Sequence, residues 1–207
     1  MTIDSPVQLS LGISLRDEST FSNFYAHGDT NTLALKVLAS LANGEEISNH
    51  LIWGAPGCGL THLLQAACHA AYFSERSVQY LPMRDFMGYA AADICEGLEE
   101  VDLVCIDGVD VVCGSREWEQ AFFHLFNRMK DAGKTLLLSS HTSPPSLPIL
   151  LPDLKSRVLG SVTYHIERLG DEGKAQAIIR RGAGRGINIP EEVARYILER
   201  ASRDTNE

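Results

Sequence analysis

The sequence lacks a long apolar run and lacks an excess of basic residues. No segment approaches the roughly 20 consecutive apolar residues that a helix needs to span a bilayer. Residues 1–14 contain no basic residue ahead of an apolar stretch, which argues against a secretory signal. The formal net charge of -9 disfavours a large non-specific nucleic-acid surface, although it leaves room for a local basic patch. We therefore expect a cytoplasmic protein that does not enter a membrane.

Paired cysteines are also lacking. The five cysteines are scattered along the chain, and no two of them form a C-x-x-C pair. This spacing predicts neither a zinc site nor a disulfide framework. Because several of the cysteines lie in apolar runs, we expect them to be small core residues.

Five short apolar runs alternate with helical patterns. The runs that we predict as strands are residues 50–54, 78–81, 103–106, 135–139 and 162–166. The patterns that we predict as helices are residues 31–41, 60–73, 83–98 (one or two helices), 115–130, 151–158, 171–185 and 190–203. Continuous apolar strands that alternate with helices indicate an α/β fold in which a parallel sheet is covered on both faces.

A glycine-rich segment follows the first predicted strand. Residues 54–61 (GAPGCGLT) match the phosphate-loop pattern G-x-x-x-x-G-K-[ST] at every fixed position except the lysine, where Leu60 stands. Glycines allow backbone N–H groups to turn toward phosphate oxygens, and the helix that follows offers its N-terminal dipole. Thr61 is placed to ligate Mg²⁺. An ordinary strand-to-helix turn is the alternative interpretation.

The missing lysine removes a positive charge from the phosphate chain of a nucleotide. If nothing replaces it, the loss is on the order of a few kcal/mol in binding and in transition-state stabilisation. The candidates to replace it are Lys36, Arg84 and an arginine of the C-terminal helices.

A second segment supports a nucleotide site. Residues 101–107 (VDLVCID) form an apolar strand that ends in Asp107, as in a Walker B segment, where the carboxylate holds Mg²⁺ through water. A turn residue at a strand end is the alternative for Asp107. Gly108 stands where a second acid usually follows, so we expect intrinsic ATPase activity to be weak or absent. The predicted nucleotide-binding set is Gly54, Ala55, Pro56, Gly57, Cys58, Gly59, Leu60, Thr61, His62 and Asp107, with Thr61 and Asp107 as metal ligands.

Together these segments resemble the DnaA-related AAA+ family, and within it the shortened regulatory inactivators of the initiator DnaA. The resemblance extends over nearly the whole chain and depends on the order and spacing of its segments. The segments that carry it are residues 8–11 (QLSL), 21–25 (FSNFY), 54–64 (GAPGCGLTHLL), 103–107 (LVCID), 118–128 (WEQAFFHLFNR), 151–157 (LPDLKSR) and 186–193 (GINIPEEV).

The resemblance implies a three-part organisation. Residues 1–20 would be a flexible clamp-binding arm, residues 21–168 an AAA+ nucleotide-binding domain with a parallel five-stranded sheet, and residues 169–207 a partial helical lid. The implied ligand is ADP, or ATP, with Mg²⁺. Asn206 falls where the lid of the family has a sensor arginine, which is a departure from the pattern.

Three further sites follow from the resemblance. Ser140, at the end of the fourth strand, would sense the γ-phosphate, with a strand-end turn as the alternative. Arg157 would be an arginine finger that acts on nucleotide bound to DnaA, with a solvated turn as the alternative. The clamp-binding residues would be Gln8, Leu9, Leu11 and Ile13, because an extended peptide can place apolar side chains in a pocket and a glutamine at its rim.

The function implied is regulatory. The protein would dock on the DNA-loaded sliding clamp, contact DNA only indirectly through it, and stimulate hydrolysis of DnaA-bound ATP. The alternatives are a self-contained P-loop ATPase and a DnaA-like DNA-binding module. The sequence leaves a homo-oligomeric state open.

Overall fold

The computed structural model describes residues 15–16 and 18–200. Its centre is a sheet whose five strands are β1 (His50–Trp53), β2 (Val78–Pro82), β3 (Leu103–Asp107), β4 (Thr135–Ser140) and β5 (Val162–His165). The strand order is β2-β3-β4-β1-β5, and every neighbouring pair is parallel. The predicted parallel five-stranded sheet is therefore confirmed.

Helices cover both faces of the sheet and continue beyond it. In the described part of the chain they are α1 (Gly28–Ala42), α2 (Leu60–Phe73), α3 (Met83–Phe86), α4 (Ala91–Cys95), α5 (Arg116–Asp131), α6 (Pro152–Leu159), α7 (Asp171–Gly184) and α8 (Glu191–Arg200). The helical pattern at residues 83–98 is divided into α3 and α4. The Glu117 carboxylate of α5 accepts a hydrogen bond from the Ala91 N–H at 3.0 Å and so fixes where α4 begins. None of the helices between residues 15 and 200 is long and apolar enough to cross a membrane.

Strand side chains alternate between two apolar cores. In β3, Leu103 and Cys105 join the core that α1 and α2 cover, whereas Val104 and Ile106 join the core that α5 covers. Burial on both faces explains why β3 and β4 read as continuous apolar runs, whereas β5, at the edge of the sheet, is largely exposed. All five cysteines are free thiols; four are buried and Cys113 is half-buried, as expected for core residues.

A buried carboxylate joins α5 to the start of α6. Glu119 is 1% exposed, and its carboxylate accepts hydrogen bonds from the N–H groups of Gly114 (2.8 Å), Leu150 (2.9 Å) and Leu151 (2.7 Å). Leu151 is the N-cap residue of α6. The Glu119 carboxylate therefore determines where α6 begins and how it is oriented against the domain.

We expect Glu119→Gln to lower the free energy of unfolding by about 3 kcal/mol, because the neutral amide leaves buried N–H groups without an acceptor. Urea denaturation monitored by circular dichroism measures this change. Glu96→Gln, at an exposed position, is the matched control and should unfold like the parent protein. Equal stability of the two variants would contradict the role given to Glu119.

His50, the first residue of β1, is a second buried polar group. It is 0% exposed, and its Nε2 lies 2.6 Å from Ser48 Oγ and 3.3 Å from a carboxylate oxygen of Glu46. Loss of hydration lowers the pKa of His50 below its ordinary value, although Glu46 opposes part of that effect. The folded protein therefore binds a proton at His50 less readily than the unfolded chain does.

The free energy of unfolding should consequently fall as the pH is lowered from above the unfolded histidine pKa of about 6.5 toward the lower pKa of folded His50. His50→Gln should make this pH dependence shallower, because the glutamine does not titrate. Urea denaturation at several pH values between neutral and mildly acidic conditions measures the slope. His124→Gln, at an exposed histidine, is the control. If both variants showed the same pH dependence of the free energy of unfolding as the parent protein, His50 would not be the source of that dependence.

Candidate nucleotide-binding site

The loop between β1 and α2 is held tightly by its surroundings. Gly57 and Gly59 have φ angles of 80° and 98°, which favour glycine. A Cβ atom on Gly59 would lie 2.7 Å from the Phe24 ring, and one on Gly54 would lie 2.4 Å from the Ile166 carbonyl oxygen. The loop therefore passes between the segment before α1 and the segment after β5, and its shape requires these glycines.

The first turn of α2 is suited to bind an anion. Gly59 is its N-cap residue, and no side chain caps it within the described chain. The first N–H groups of a helix have no intrahelical acceptor, and the helix dipole places positive potential there. A phosphate group would satisfy both, so the loop and the start of α2 fit the phosphates of a nucleotide.

A cavity of about 800 Å³ lies over this loop. Its wall comes from the loop and α2, from the segment before α1, from the end of β4 and from α7. The residues on the wall are Arg16, Glu18, Ser19, Asn23, Gly57, Gly59, Leu60, Thr61, His62, Gln65, His141, Arg181, Gly184 and Arg185. This volume is in the range of sites that enclose small-molecule ligands.

Of the predicted nucleotide-binding residues, Gly57, Gly59, Leu60, Thr61 and His62 lie on this wall. The structure brings these five together, in the order that the phosphate-loop pattern predicts. Four others belong to the same loop without lining the cavity, and they are Gly54, Ala55, Pro56 and Cys58. Burial raises the pKa of the Cys58 thiol to about 11, so this group stays protonated at neutral pH.

Asp107 lies beside the loop and is surrounded by hydroxyl groups. Its Oδ2 accepts hydrogen bonds from Thr61 Oγ1 at 2.8 Å and from the Tyr80 hydroxyl at 2.7 Å. Its Oδ1 accepts one from Ser139 Oγ at 2.6 Å. Burial and the adjacent Asp107 charge raise the pKa of Tyr80, so that hydroxyl remains a donor. The predicted metal ligands Thr61 and Asp107 are thus neighbours, as a shared Mg²⁺ requires.

Sequence patterns did not single out Tyr80 or Ser139. Tyr80 lies in β2 and Ser139 in β4, the two strands that flank β3. Ser139 Oγ also accepts a hydrogen bond from the Gly108 N–H at 2.9 Å. Only the strand order shows that both side chains meet the end of β3, and this order is not visible in local periodicity.

Ser140 is turned away from the cavity. It is 1% exposed, and its hydroxyl donates to the Thr142 carbonyl oxygen at 2.7 Å and accepts from the Thr142 N–H at 2.9 Å. The neighbouring His141 lines the cavity instead, with Nδ1 at 3.1 Å from the Gly54 carbonyl oxygen. The polar side chain at this strand end that faces the cavity is therefore His141.

Leu60 places no charge in the loop. Its side chain is 3% exposed and belongs to the apolar core with Phe24 and Leu63. Two of the candidates to replace the missing lysine, Lys36 and Arg84, do not line the cavity. The arginines that do line it come from the segment before α1 and from α7.

The segment before α1 is tied to α2 by three side chains. His62 Nε2 lies 2.8 Å from the Thr20 carbonyl oxygen, and His69 Nε2 lies 3.1 Å from the Arg16 carbonyl oxygen. Gln65 Oε1 accepts a hydrogen bond from the Arg16 N–H at 3.4 Å. Positions 62, 65 and 69 share one face of the helix. Burial lowers the pKa of His62, which favours the neutral ring in this contact.

Arg157 lies on α6, outside the cavity. It is exposed, and its guanidinium forms no hydrogen bond or ion pair with any residue in the described ranges. The predicted clamp-binding residues Gln8, Leu9, Leu11 and Ile13 fall outside those ranges, as does Asn206.

Family models and solved structures of known proteins match this chain over most of its length. A family model described as the bacterial DnaA ATPase domain matches residues 15–165, and a model described as the Hda lid domain matches residues 171–207. Domain III of DnaA from Thermotoga maritima aligns with a TM-score of 0.78 and 25% identity, over 94% of this chain and 85% of that chain.

Two solved structures of nucleotide-bound DnaA are also similar. DnaA bound to AMPPCP and single-stranded DNA aligns with a TM-score of 0.76 and 29% identity, over 90% of this chain and 61% of that chain. AMPPCP-bound DnaA from Aquifex aeolicus aligns with a TM-score of 0.75 and 29% identity, over 91% of this chain and 62% of that chain. Because the DnaA ATPase model spans most of the sequence and an Hda-type lid follows it, the chain belongs to the DnaA-related AAA+ family.

Proposed function

We propose that this protein regulates the initiator DnaA by stimulating hydrolysis of the ATP that DnaA binds. In this proposal the protein holds nucleotide at its glycine-rich loop, docks on the DNA-loaded sliding clamp through residues 8–13, and presents Arg157 to DnaA. The outcome is DnaA in its ADP form and fewer re-initiations. The supporting observation is the contrast between an exposed Arg157, which has no ion-pair partner in the described part of the chain, and a glycine-rich loop without its own lysine.

The protein's own site supports nucleotide binding better than it supports hydrolysis. Hydrolysis requires positive charge on the γ-phosphate and a group that orients the attacking water. Leu60 supplies no charge, and Gly108 has a φ of 86°, at which an acidic side chain would be strained. Asp110 accepts a hydrogen bond from the His141 N–H at 3.3 Å. These residues favour a regulator over a self-contained ATPase.

ADP, or ATP, with Mg²⁺ is the ligand that we propose for the cavity. The start of α2 and the loop glycines would hold the phosphates, and Thr61 with Asp107 would hold the metal ion. When bound, Mg²⁺ neutralises part of the phosphate charge. The two DnaA structures that contain AMPPCP support nucleotide as the ligand of this fold.

The placement of Arg157 suits action on a second protein. An arginine finger must reach a nucleotide bound elsewhere, so it has to be exposed and not engaged in an ion pair. Arg157 is exposed, and it forms no ion pair with any described residue. Because Glu119 fixes the N-terminus of α6, the helix that carries Arg157 is held firmly against the domain.

We expect Arg157→Ala to reduce the stimulated hydrolysis of DnaA-bound ATP by on the order of 10³-fold, toward the unstimulated rate, because the transition state loses its added positive charge. A single-turnover assay with ATP-loaded DnaA and clamp-loaded DNA measures this. Arg116→Ala, at another exposed arginine, is the control, and retention on clamp-loaded DNA should be unchanged in both variants. Full stimulation by Arg157→Ala would exclude the finger assignment.

Replacement of Gln8 and Leu11 by alanine should abolish retention on clamp-loaded DNA, because the peptide loses its hydrogen bond at the rim and its apolar anchor. A pull-down with immobilised clamp on DNA tests this. The control carries Thr2→Ala and Ser5→Ala in the same arm and should be retained like the parent protein. Undiminished retention of the Gln8 and Leu11 variant would rule out this peptide as the docking segment.

A further inference from the structure

The positive charge on the wall of the nucleotide cavity comes from residues outside the loop. Leu60 leaves the loop without a cation. Among the described residues the arginines that line the cavity are Arg16 from the segment before α1, Arg181 of α7, and Arg185, the C-cap residue of α7. A ligand with several phosphates in this cavity would therefore have both backbone N–H groups of the loop and guanidinium groups within the same wall.

Arg180 of α7 and Arg185, the C-cap residue of α7, already have partners. Arg185 forms an ion pair with Glu18, and Arg180 Nε donates a hydrogen bond to the Ser22 carbonyl oxygen at 2.9 Å. These contacts join α7 to the segment before α1. They hold the helix beside the cavity, and they do not involve Arg181, which lies between Arg180 and Arg185 in the sequence.

Arg181 differs from Arg180 and Arg185 in its contacts. It lines the cavity, it is exposed, and it has no hydrogen-bond or ion-pair partner among residues 15–16 and 18–200. It lines the same cavity as Thr61 and His62 in the first turn of α2, where the helix dipole attracts an anion. Arg181 thus offers this cavity a guanidinium that has no partner among the described residues.

We propose that Arg181 of α7 binds the phosphate chain of the nucleotide and supplies the positive charge that Leu60 does not. This inference rests on the proposed nucleotide-binding function. A guanidinium can donate two parallel hydrogen bonds to phosphate oxygens, a geometry that a lysine ammonium lacks. The ligand class is a nucleoside diphosphate or triphosphate.

Because Arg181 takes the place of a loop lysine in this proposal, a different part of the protein contacts the phosphates of the nucleotide. A loop lysine would bind phosphate within the α/β domain alone. Arg181 belongs to α7, so a bound phosphate chain bridges the α/β domain and the C-terminal helices. Nucleotide then stabilises the position of α7 over the cavity, in addition to the contacts that Arg180 and Arg185 make.

The test compares ADP with adenosine on the full chain by isothermal titration calorimetry. Arg181→Gln should weaken ADP binding by about tenfold or more, as expected for loss of hydrogen bonds to a charged group, while adenosine binding stays unchanged. Arg180→Gln, the matched control one residue earlier, should retain more of the ADP affinity.

Hydrogen exchange supplies a readout that is independent of affinity. At saturating ADP, the amides of α7 should be protected in the parent protein and markedly less protected in Arg181→Gln. Equal ADP affinity of Arg181→Gln and the parent protein would overturn the assignment. Parallel loss of ADP and adenosine binding would also overturn it, since it would indicate a contact with the base or a structural role.

The same titration separates this inference from the function on which it rests. A parent protein that binds ADP, with no effect of Arg181→Gln, overturns the role of Arg181 alone. A parent protein that binds neither ADP nor ATP overturns the nucleotide-binding part of the proposed function as well.

Discussion

The carboxylate of Asp107 is the contact on which the arrangement of the site depends. It accepts hydrogen bonds from Thr61 at the start of α2, Tyr80 in β2 and Ser139 in β4. These donors come from the helix that follows β1 and from the two strands beside β3. One side chain thus joins the end of the sheet to the first turn of α2, and the loop glycines complete the cavity beside it.

The charges of the molecule are distributed unevenly relative to this cavity. Leu60 belongs to the core, and Gly108 has a backbone conformation that disfavours a side chain. Positive charge lies instead on α7 and on α6. Arg181 of α7 lines the molecule's own cavity, whereas Arg157 of α6 lies outside it. This distribution is what the proposed function requires, namely a nucleotide site in the domain and an exposed arginine for a partner.

Local sequence patterns predicted most of the fold. Helix α2 begins at Leu60 and ends at Phe73, as expected, because a glycine precedes it and apolar residues recur at helical spacing. The division of residues 83–98 depends on Glu117, which follows them in the sequence and caps α4 from another helix. Tyr80, Ser139 and His141 became part of the site only through strand order, and Arg181 through the packing of α7. Contacts between distant segments leave no periodic signal in the chain.

The attachment of the segment before α1 sets the length of the tether between the proposed docking peptide and the folded domain. His69 and Gln65 hold Arg16 on α2, close to the cavity. Only two residues separate Ile13 from Arg16, and this stretch of chain spans at most about 11 Å. In the proposed complex the domain would therefore remain next to the clamp surface. Such a short tether restricts the volume that the domain can explore and raises its effective concentration toward DnaA on the same DNA.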